Sequence, residues 1–288
     1  MLQHVKAVLN FSAFRAEPDD PAFSWKARFS GRKTALIHIG RASLSFDVLD
    51  GKGETVSEGS AQGELKEVFN QMGPQIVDET DEGWACLSVD TRYVISLESN
   101  LSRKKGSEDA VKTDPRSVLH ARYEKGKRYA VTHNPESNSS LLLSFDEEFL
   151  KKIESYCKEQ KIRIGRLCCG AYVLLRHALS ETNLKKGSED PISKLYIVCC
   201  SGSVCLLSQK KDNWVELRSR PDVYEDDVAP LMDLVAPFRE RIEPETGLVL
   251  VCDNPIEGLP EKIAEAFPGH QLDDLTEDHL LLSLLLRQ

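Results

Sequence analysis

Residues 35–50, ALIHIGRASLSFDVLD, narrow the choice of fold more than any other part of the chain. The run 35–40 reads as an apolar strand, Gly40-Arg41-Ala42-Ser43 as a tight turn, and 43–50 as a strand alternating apolar and polar. A third short strand, 53–60, follows across the Gly-containing turn DGKG, which makes a three-stranded meander. A second meander comes later. LYIVCCSG and SVCLLSQK (195–210) form a hairpin pinched at Ser201-Gly202, and WVELRSR (214–220) adds a third strand.

Helices and single strands fill the intervals. QGELKEVFNQMG (62–73) places Leu65, Val68, Phe69 and Met72 at helical spacing, and Gly73-Pro74 is expected to stop that helix. WACLSV (84–89) reads as a buried strand and RYVISLES (92–99) alternates. Residues 100–127 are polar and charge-rich; the hexapeptide KKGSED falls there and again at 185–190, giving two surface loops rather than a structural repeat. The strongest periodic block runs strand, helix, strand, helix: SLLLSF (140–145), DEEFLKKIESYCKEQK capped by Asp146 or Ser144, RIGRLCC (163–169) and GAYVLLRHALSE (170–181). Beyond the second meander lie a helix over 226–239 interrupted by Pro230 and Pro237, and a buried strand at 247–254. A helix at 258–267 with Pro in its first turn follows, then a very apolar helix capped by Thr276 or Asp274. Residues 1–33 are a weakly patterned lead-in.

Charge excludes one large class of partner. With 46 acidic against 37 basic residues, the formal net charge of −9 repels nucleic acid unless basic residues cluster. Basic runs are short, and Arg103-Lys104-Lys105 and Lys185-Lys186 each lead into Gly-Ser-Glu-Asp, so no nucleic acid is expected. The opening MLQHVKAVLNFSAFRAEPDD lacks the apolar core and small-residue cleavage site of a signal peptide. The longest apolar stretch, 195–207, is about 13 residues against the roughly 20 that a bilayer needs. A cytoplasmic location follows as an expectation, with membrane contact only through a partner. The 8 cysteines sit inside apolar segments without a Cys-x-x-Cys pair, which fits small buried hydrophobes and not a disulfide framework or a zinc site.

The order of elements resembles the duplicated actin-like fold, an α/β, ribonuclease H-like architecture with two related lobes. Residues 140–181 (SLLLSF through GAYVLLRHALSE), with the lead-in GRKTALIHIG and the stretch WACLSVDTRYVISLESNLS, are similar to pilus-assembly PilM proteins and to the cytoplasmic domains of type II secretion GspL proteins. That resemblance implies a first lobe over 34–182 with a small insert near 84–134, and a second lobe over 193–288 whose terminal helix, 276–288, returns to the first.

The chemistry is expected to depart from the fold's ATPases. By resemblance, those need an acid and a cation or amide at the first turn, an Asp-x-Gly-x-x-Thr second turn, and a glycine pair after a later strand; phosphoryl transfer rests on such positioning and charge neutralisation. Here the acid position is His38 and Ser45 stands at the cation position. The second turn, Val198-Cys199-Cys200-Ser201-Gly202-Ser203, has neither acid nor Thr, and Val251-Cys252-Asp253-Asn254-Pro255 meets no glycine before Gly258. His38 is expected to be partly buried with a hydrogen-bond partner, Arg41 to be a solvated turn cation with some capacity to hold an anion, and Asp146-Glu147-Glu148 and Asp226-Asp227 to be helix N-terminal charges. No catalytic, cofactor or metal residue is assigned, and no cofactor. The resemblance then implies a non-catalytic scaffold in the inner-membrane assembly platform of a type IV pilus or type II secretion system. It would sit peripherally at the inner membrane, bind a short cytoplasmic peptide of a membrane assembly protein, and possess a surface for homo-oligomer formation as a further option. The competing expectations are a divergent actin-like ATPase or sugar kinase that retains nucleotide binding, and a self-assembling filament.

Overall fold

The structure is a computed structural model that describes residues 32–99, 101, 107–133, 140–184, 193–210, 213–224 and 227–287. The lead-in up to residue 31, the first half of the first KKGSED copy, the second copy and Asp226 lie outside the described residues. The chain begins with β1 (Thr34–Ile39), β2 (Ser43–Leu49), β3 (Thr55–Gln62), α1 (Leu65–Glu79), β4 (Trp84–Val89) and β5 (Val94–Ser99). It continues with α2 (Ser107–Thr113), α3 (Pro115–Leu119), β6 (Lys127–His133), β7 (Ser140–Asp146), α4 (Glu147–Glu159), β8 (Arg163–Cys169) and α5 (Gly170–Leu184). The last elements are β9 (Ser193–Cys200), β10 (Ser203–Lys210), β11 (Asn213–Arg220), α6 (Ala229–Val235), β12 (Gly247–Cys252), α7 (Leu259–Ala266), β13 (Leu272–Asp274) and α8 (Leu280–Arg287).

These elements form two compact units. The first takes the described residues of Met1–Val89, Lys151–Cys168 and Leu281–Gln288. Its five-stranded sheet runs β3-β2-β1-β4-β8, with β1 antiparallel to β2 and parallel to β4. Strands β1 and β4 are buried at every residue, as expected of a sheet covered on both faces. Strand β2 alternates, burying Leu44, Phe46 and Val48. Helix α1 buries Val68, Phe69, Met72 and Ile76.

Gly73-Pro74 does not stop α1, which runs on to Glu79 with Pro74 inside it. Tertiary packing overrides the local signal. Gly73 lies so close to Gln160 that an added Cβ would stand 2.6 Å from its Cγ, and Gln160 Nε2 donates to Asn70 Oδ1 at 2.7 Å. Ile76, a turn later, is fully buried. Burying such a side chain contributes about 1.5–3 kcal/mol, enough with its neighbours to carry the helix through the proline. The apolar segment 281–285 is covered by the chain itself: Leu281, Leu282, Leu284 and Leu285 are all buried.

The second unit takes Asp90–Leu150 and Cys169–Leu280. Its larger sheet has the order β11-β10-β9-β12-β13, which repeats the pattern of the first: an antiparallel meander whose first strand then pairs in parallel with a later one. On one face Leu195, Ile197, Leu250 and Cys252 pack with Leu231 and Val235 of α6 and Leu259 and Ile263 of α7. On the other, Tyr196 places its hydroxyl 3.0 Å from Thr182 Oγ1 of α5. A three-stranded sheet, β5-β7-β6, completes the unit, and Val111 of α2 and Leu119 of α3 pack on Tyr129, Val131 and Leu142.

Residues 100–127 therefore hold more structure than their charge suggests, because two short helices each bury one apolar residue on the small sheet. Strands β6 and β13 also carry no sequence expectation: KRYAVTH is half charged or polar, and LDD is short and acidic. Among the described residues, no helix is long and apolar enough to cross a membrane.

Candidate functional site

The chemistry to be tested lies at three turns. In the first, the amide of Gly40 donates to Ser43 O at 3.0 Å, and the amide of Gly63 donates to Ala42 O at 2.8 Å. Ser43 leans over the glycine: a Cβ at Gly40 would lie 2.3 Å from Ser43 Oγ. Arg41 is exposed at the tip. His38 is buried two residues before Gly40, opposite Ser45 on β2 and Ser88 on β4. Its Nδ1 is 3.2 Å from Ser88 Oγ, so the expected buried histidine with a partner is what the sheet contains. A ring held against a hydroxyl of a central strand has no carboxylate's charge with which to organise a divalent cation.

The second turn joins β9 to β10 through Ser201 (φ 44°) and Gly202 (φ 84°). Two successive positive φ angles are those of a two-residue hairpin whose twist matches its strands. The turn lacks an acid in sequence, yet it has one in space. Asp253, at the end of β12, accepts from the Ser201 amide at 2.8 Å and from Ser201 Oγ at 2.7 Å, both on Oδ2. Its Oδ1 accepts from the Asn254 amide at 3.1 Å. The parallel pairing of β12 with β9 sets Cys252 opposite Cys199 and so delivers Asp253 to the turn. In the sequence Asp253 stands out only as part of a glycine-poor turn; the signal for its role is an Asp directly beyond a buried strand, beside a parallel neighbour's turn.

The third turn is fully engaged. The Asp253 amide donates to Cys199 O, Asp253 O accepts from the Leu280 amide, and Asn254 Oδ1 accepts from the His279 amide. Thr276 is not the cap of α8. Its hydroxyl accepts from the Cys252 amide at 3.0 Å, and Asp274 Oδ1 accepts from the Thr276 amide, so both groups close the end of β12. Beside them is a cavity of about 100 Å³ lined by Leu250, Cys252, Pro255, Ile256, Asp274 and Thr276. Small-molecule pockets run from about 300 Å³ upward, so a nucleoside does not fit it as it stands.

The remaining acidic candidates serve helices. Asp146 Oδ1 accepts from the Phe149 amide at 2.9 Å, which with the nearby Lys127 holds its carboxyl below the usual range. Asp227 Oδ1 accepts from the Ala229 amide at the start of α6. None of the 8 cysteines forms a disulfide, and burial pushes the thiols of Cys86, Cys157 and Cys205 up to about 12. Among the described residues, no three His, Cys, Asp or Glu side chains are grouped to hold a metal.

No protein-family model matches the sequence, and no curated protein matches it. Solved structures do. The cytoplasmic domain of EpsL, an inner-membrane component of the type II secretion system of Vibrio cholerae, superposes with a TM-score of 0.52 at 9% identity, covering 89% of this chain and 95% of that one. A Bacteroides thetaiotaomicron protein with an actin-like ATPase fold and unknown function gives 0.51 at 10% identity over 91% and 98%. This chain has the actin-like fold. The PilM–PilN type IV pilus biogenesis complex gives 0.52 at 12% identity over 84% and 88%, so the actin-like resemblance extends to both of the assembly proteins that the sequence pattern suggests.

Proposed function

We propose that this actin-like chain is a non-catalytic, cytoplasmic scaffold in the inner-membrane assembly platform of a type IV pilus or type II secretion system. It binds a cytoplasmic segment of a membrane partner through its first lobe, 34–182, and the insert near 84–134; the second lobe spans 193–288. It sits peripherally at the inner membrane through that partner, with no nucleic acid and no cofactor. The likeness to EpsL and PilM supports the setting.

The observation that carries the reading is an exposed apolar pair on an edge strand within the proposed insert. Ile95 and Leu97 of β5 are 54% and 52% exposed, and both point to the same side of the strand. Among the described residues β5 pairs only with β7, at one end of its sheet. An apolar edge strand is a template for an added extended segment, whose main chain supplies affinity and whose alternate side chains supply specificity. Burying what remains exposed of the two side chains contributes about 1–3 kcal/mol, a factor of roughly 5–150 in affinity.

The test is a fluorescence titration with N-terminal cytoplasmic peptides of the inner-membrane proteins encoded beside this one. We expect one peptide to bind, and the double variant Ile95→Lys with Leu97→Lys to weaken it at least about fivefold while the thermal midpoint stays put. Failure of every peptide removes the scaffold reading. Saturable Mg-ATP binding by calorimetry revives the competing reading of a divergent ATPase or kinase, and turnover of the bound nucleotide removes the non-catalytic half.

A further inference from the structure

We propose that β11 is a self-association edge, along which two copies of this chain pair antiparallel about Leu217 and join their larger sheets. The inference goes beyond peptide binding and is independent of it, because β11 is not the strand that receives the partner's segment. Pairing about one two-fold axis uses the same edge of both copies, so it closes at a dimer.

The charge pattern singles out this edge. Among the described residues the sheets end on six strands: β3, β8, β11, β13, β5 and β6. Five of them carry charge of one sign. Glu58 is alone on β3 and Glu98 on β5, while β13 has Asp273 and Asp274. Strand β8 has Arg163 and Arg166, and β6 has Lys127 and Arg128. Such a strand offers a second copy of itself no opposite charge. Only β11, NWVELRSR, carries both signs, in Glu216, Arg218 and Arg220. It also carries Val215, 64% exposed and the most exposed large apolar residue of those described.

The same residues fix the register. Directly opposite residues of an antiparallel pair share a face, and Glu216 and Arg218 share one face of β11. An axis at Leu217 sets Glu216 of each copy opposite Arg218 of the other and Leu217 opposite Leu217, while Val215 and Arg220 meet the neutral Ser219 and Trp214. Moving the axis to Glu216 sets two carboxylates against each other, and moving it to Arg218 sets two guanidinium groups together; both are repulsive. The charged groups are already held in place. Glu216 accepts from the guanidinium of its own Arg218 and lies 3.5 Å from Arg241, and Arg218 sits 5.4 Å from the Phe238 ring centre. Their side chains are still 31% and 36% exposed, so each is open to a second partner. Val215 is the extra residue of a bulge, since Ser208 pairs with Glu216 and Gln209 with Trp214. The bulge ends the regular run there, which keeps the contact short and reversible.

Sedimentation velocity on the full chain, from about 5 to about 500 µM, reads the association. A single strand edge makes a small interface of the weak class, and a dimer with a Kd of about 100 µM is expected. Glu216→Arg and Arg218→Glu each turn both cross-copy pairs from attractive to repulsive, and each is expected to weaken the dimer at least about fourfold. An equimolar mixture of the two variants is expected to restore it, because every cross-copy pair is again of opposite sign; lost stability does not produce that rescue. If Arg218→Glu does not fold without its contact to Phe238, Leu217→Cys decides instead. Oxidised glutathione is then expected to link two copies through position 217, as mapped by mass spectrometry. A wild-type chain that stays monomeric to about 500 µM overturns the proposal. So does a dimer that the reversals leave intact, a mixture that stays monomeric, or the absence of a link through position 217.

Discussion

Pro74 offers an unusual experiment, because replacing it should make the protein more stable. The residue is exposed and sits within α1, five residues before the helix ends at Glu79. Proline there removes the amide that would reach Asn70 O, and its ring crowds that carbonyl; in a helix interior the cost is about 3 kcal/mol relative to Ala. Against this, proline restricts the unfolded chain, which recovers about 0.4–1 kcal/mol. Helices bend at an internal proline, which recovers a further part of the cost. Pro74→Ala is therefore expected to stabilise by about 1–2 kcal/mol, and no buried contact is lost. At roughly 2–4 °C per kcal/mol for a domain of this size, the thermal midpoint rises by about 2–8 °C. Circular dichroism melts, with urea curves of unchanged slope, measure it. Gly73→Ala next to it should go the other way, since the gain in helix propensity of about 1 kcal/mol is outweighed by overlap with the Gln160 Cβ and Cγ, 2.8 and 2.6 Å from the new methyl. A lower or unchanged midpoint in Pro74→Ala would refute a continuous helix through this position.

Asp146→Asn should cost about 0.5 kcal/mol at neutral pH, because the amide still caps α4 but loses the charge beside the helix N-terminus and Lys127. The Asp146 carboxyl lies below its unfolded value of about 3.9, so its contribution is full above that pH and fades as pH falls through the folded value. The gap between wild type and variant in a pH series of urea melts should close on that acid limb; a gap that persists there contradicts the assignment. The thiols of Cys86, Cys157, Cys168 and Cys205, all raised to about 12, should react with an aromatic disulfide reagent at pH 8 only after unfolding. Rapid labelling of any of the four in the native chain, mapped by mass spectrometry, would be the contrary result.

The parts of the fold that were legible in the sequence are those where one local rule acts without competition. Strands β1, β2, β9, β10 and β12 announce themselves by apolar runs or alternation, and the Ser201-Gly202 pinch by its turn chemistry. Legibility fails where a distant contact decides. Helix α1 outlives Gly73-Pro74 because of Gln160, and Thr276 leaves α8 for the Cys252 amide. Segments such as β6, α2 and α3 bury too few residues each to show a period. The candidate site shows the same division. That His38 would be buried and partnered was readable from an apolar strand, whereas the Asp253–Ser201 contact joins residues far apart in sequence and depends on the register of two parallel strands.

The first unit is built from three separated stretches, and that has a consequence in time. Its opening meander is made early, its edge strand β8 only after Asp90–Leu150, and its covering segment Leu281–Gln288 only after the whole of the second unit. At ribosomal speeds of about 5–20 residues per second, the roughly 190 residues after Val89 take about 10–40 s to emerge. For that interval the apolar residues of β1 and β4 exist without the leucines that later share their unit. The nascent chain thus spends its longest exposure at the sheet it began first, where chaperone capture and misassembly compete with folding. Damage to residues 281–285 is accordingly expected to appear as a defect of the unit at the other end of the sequence.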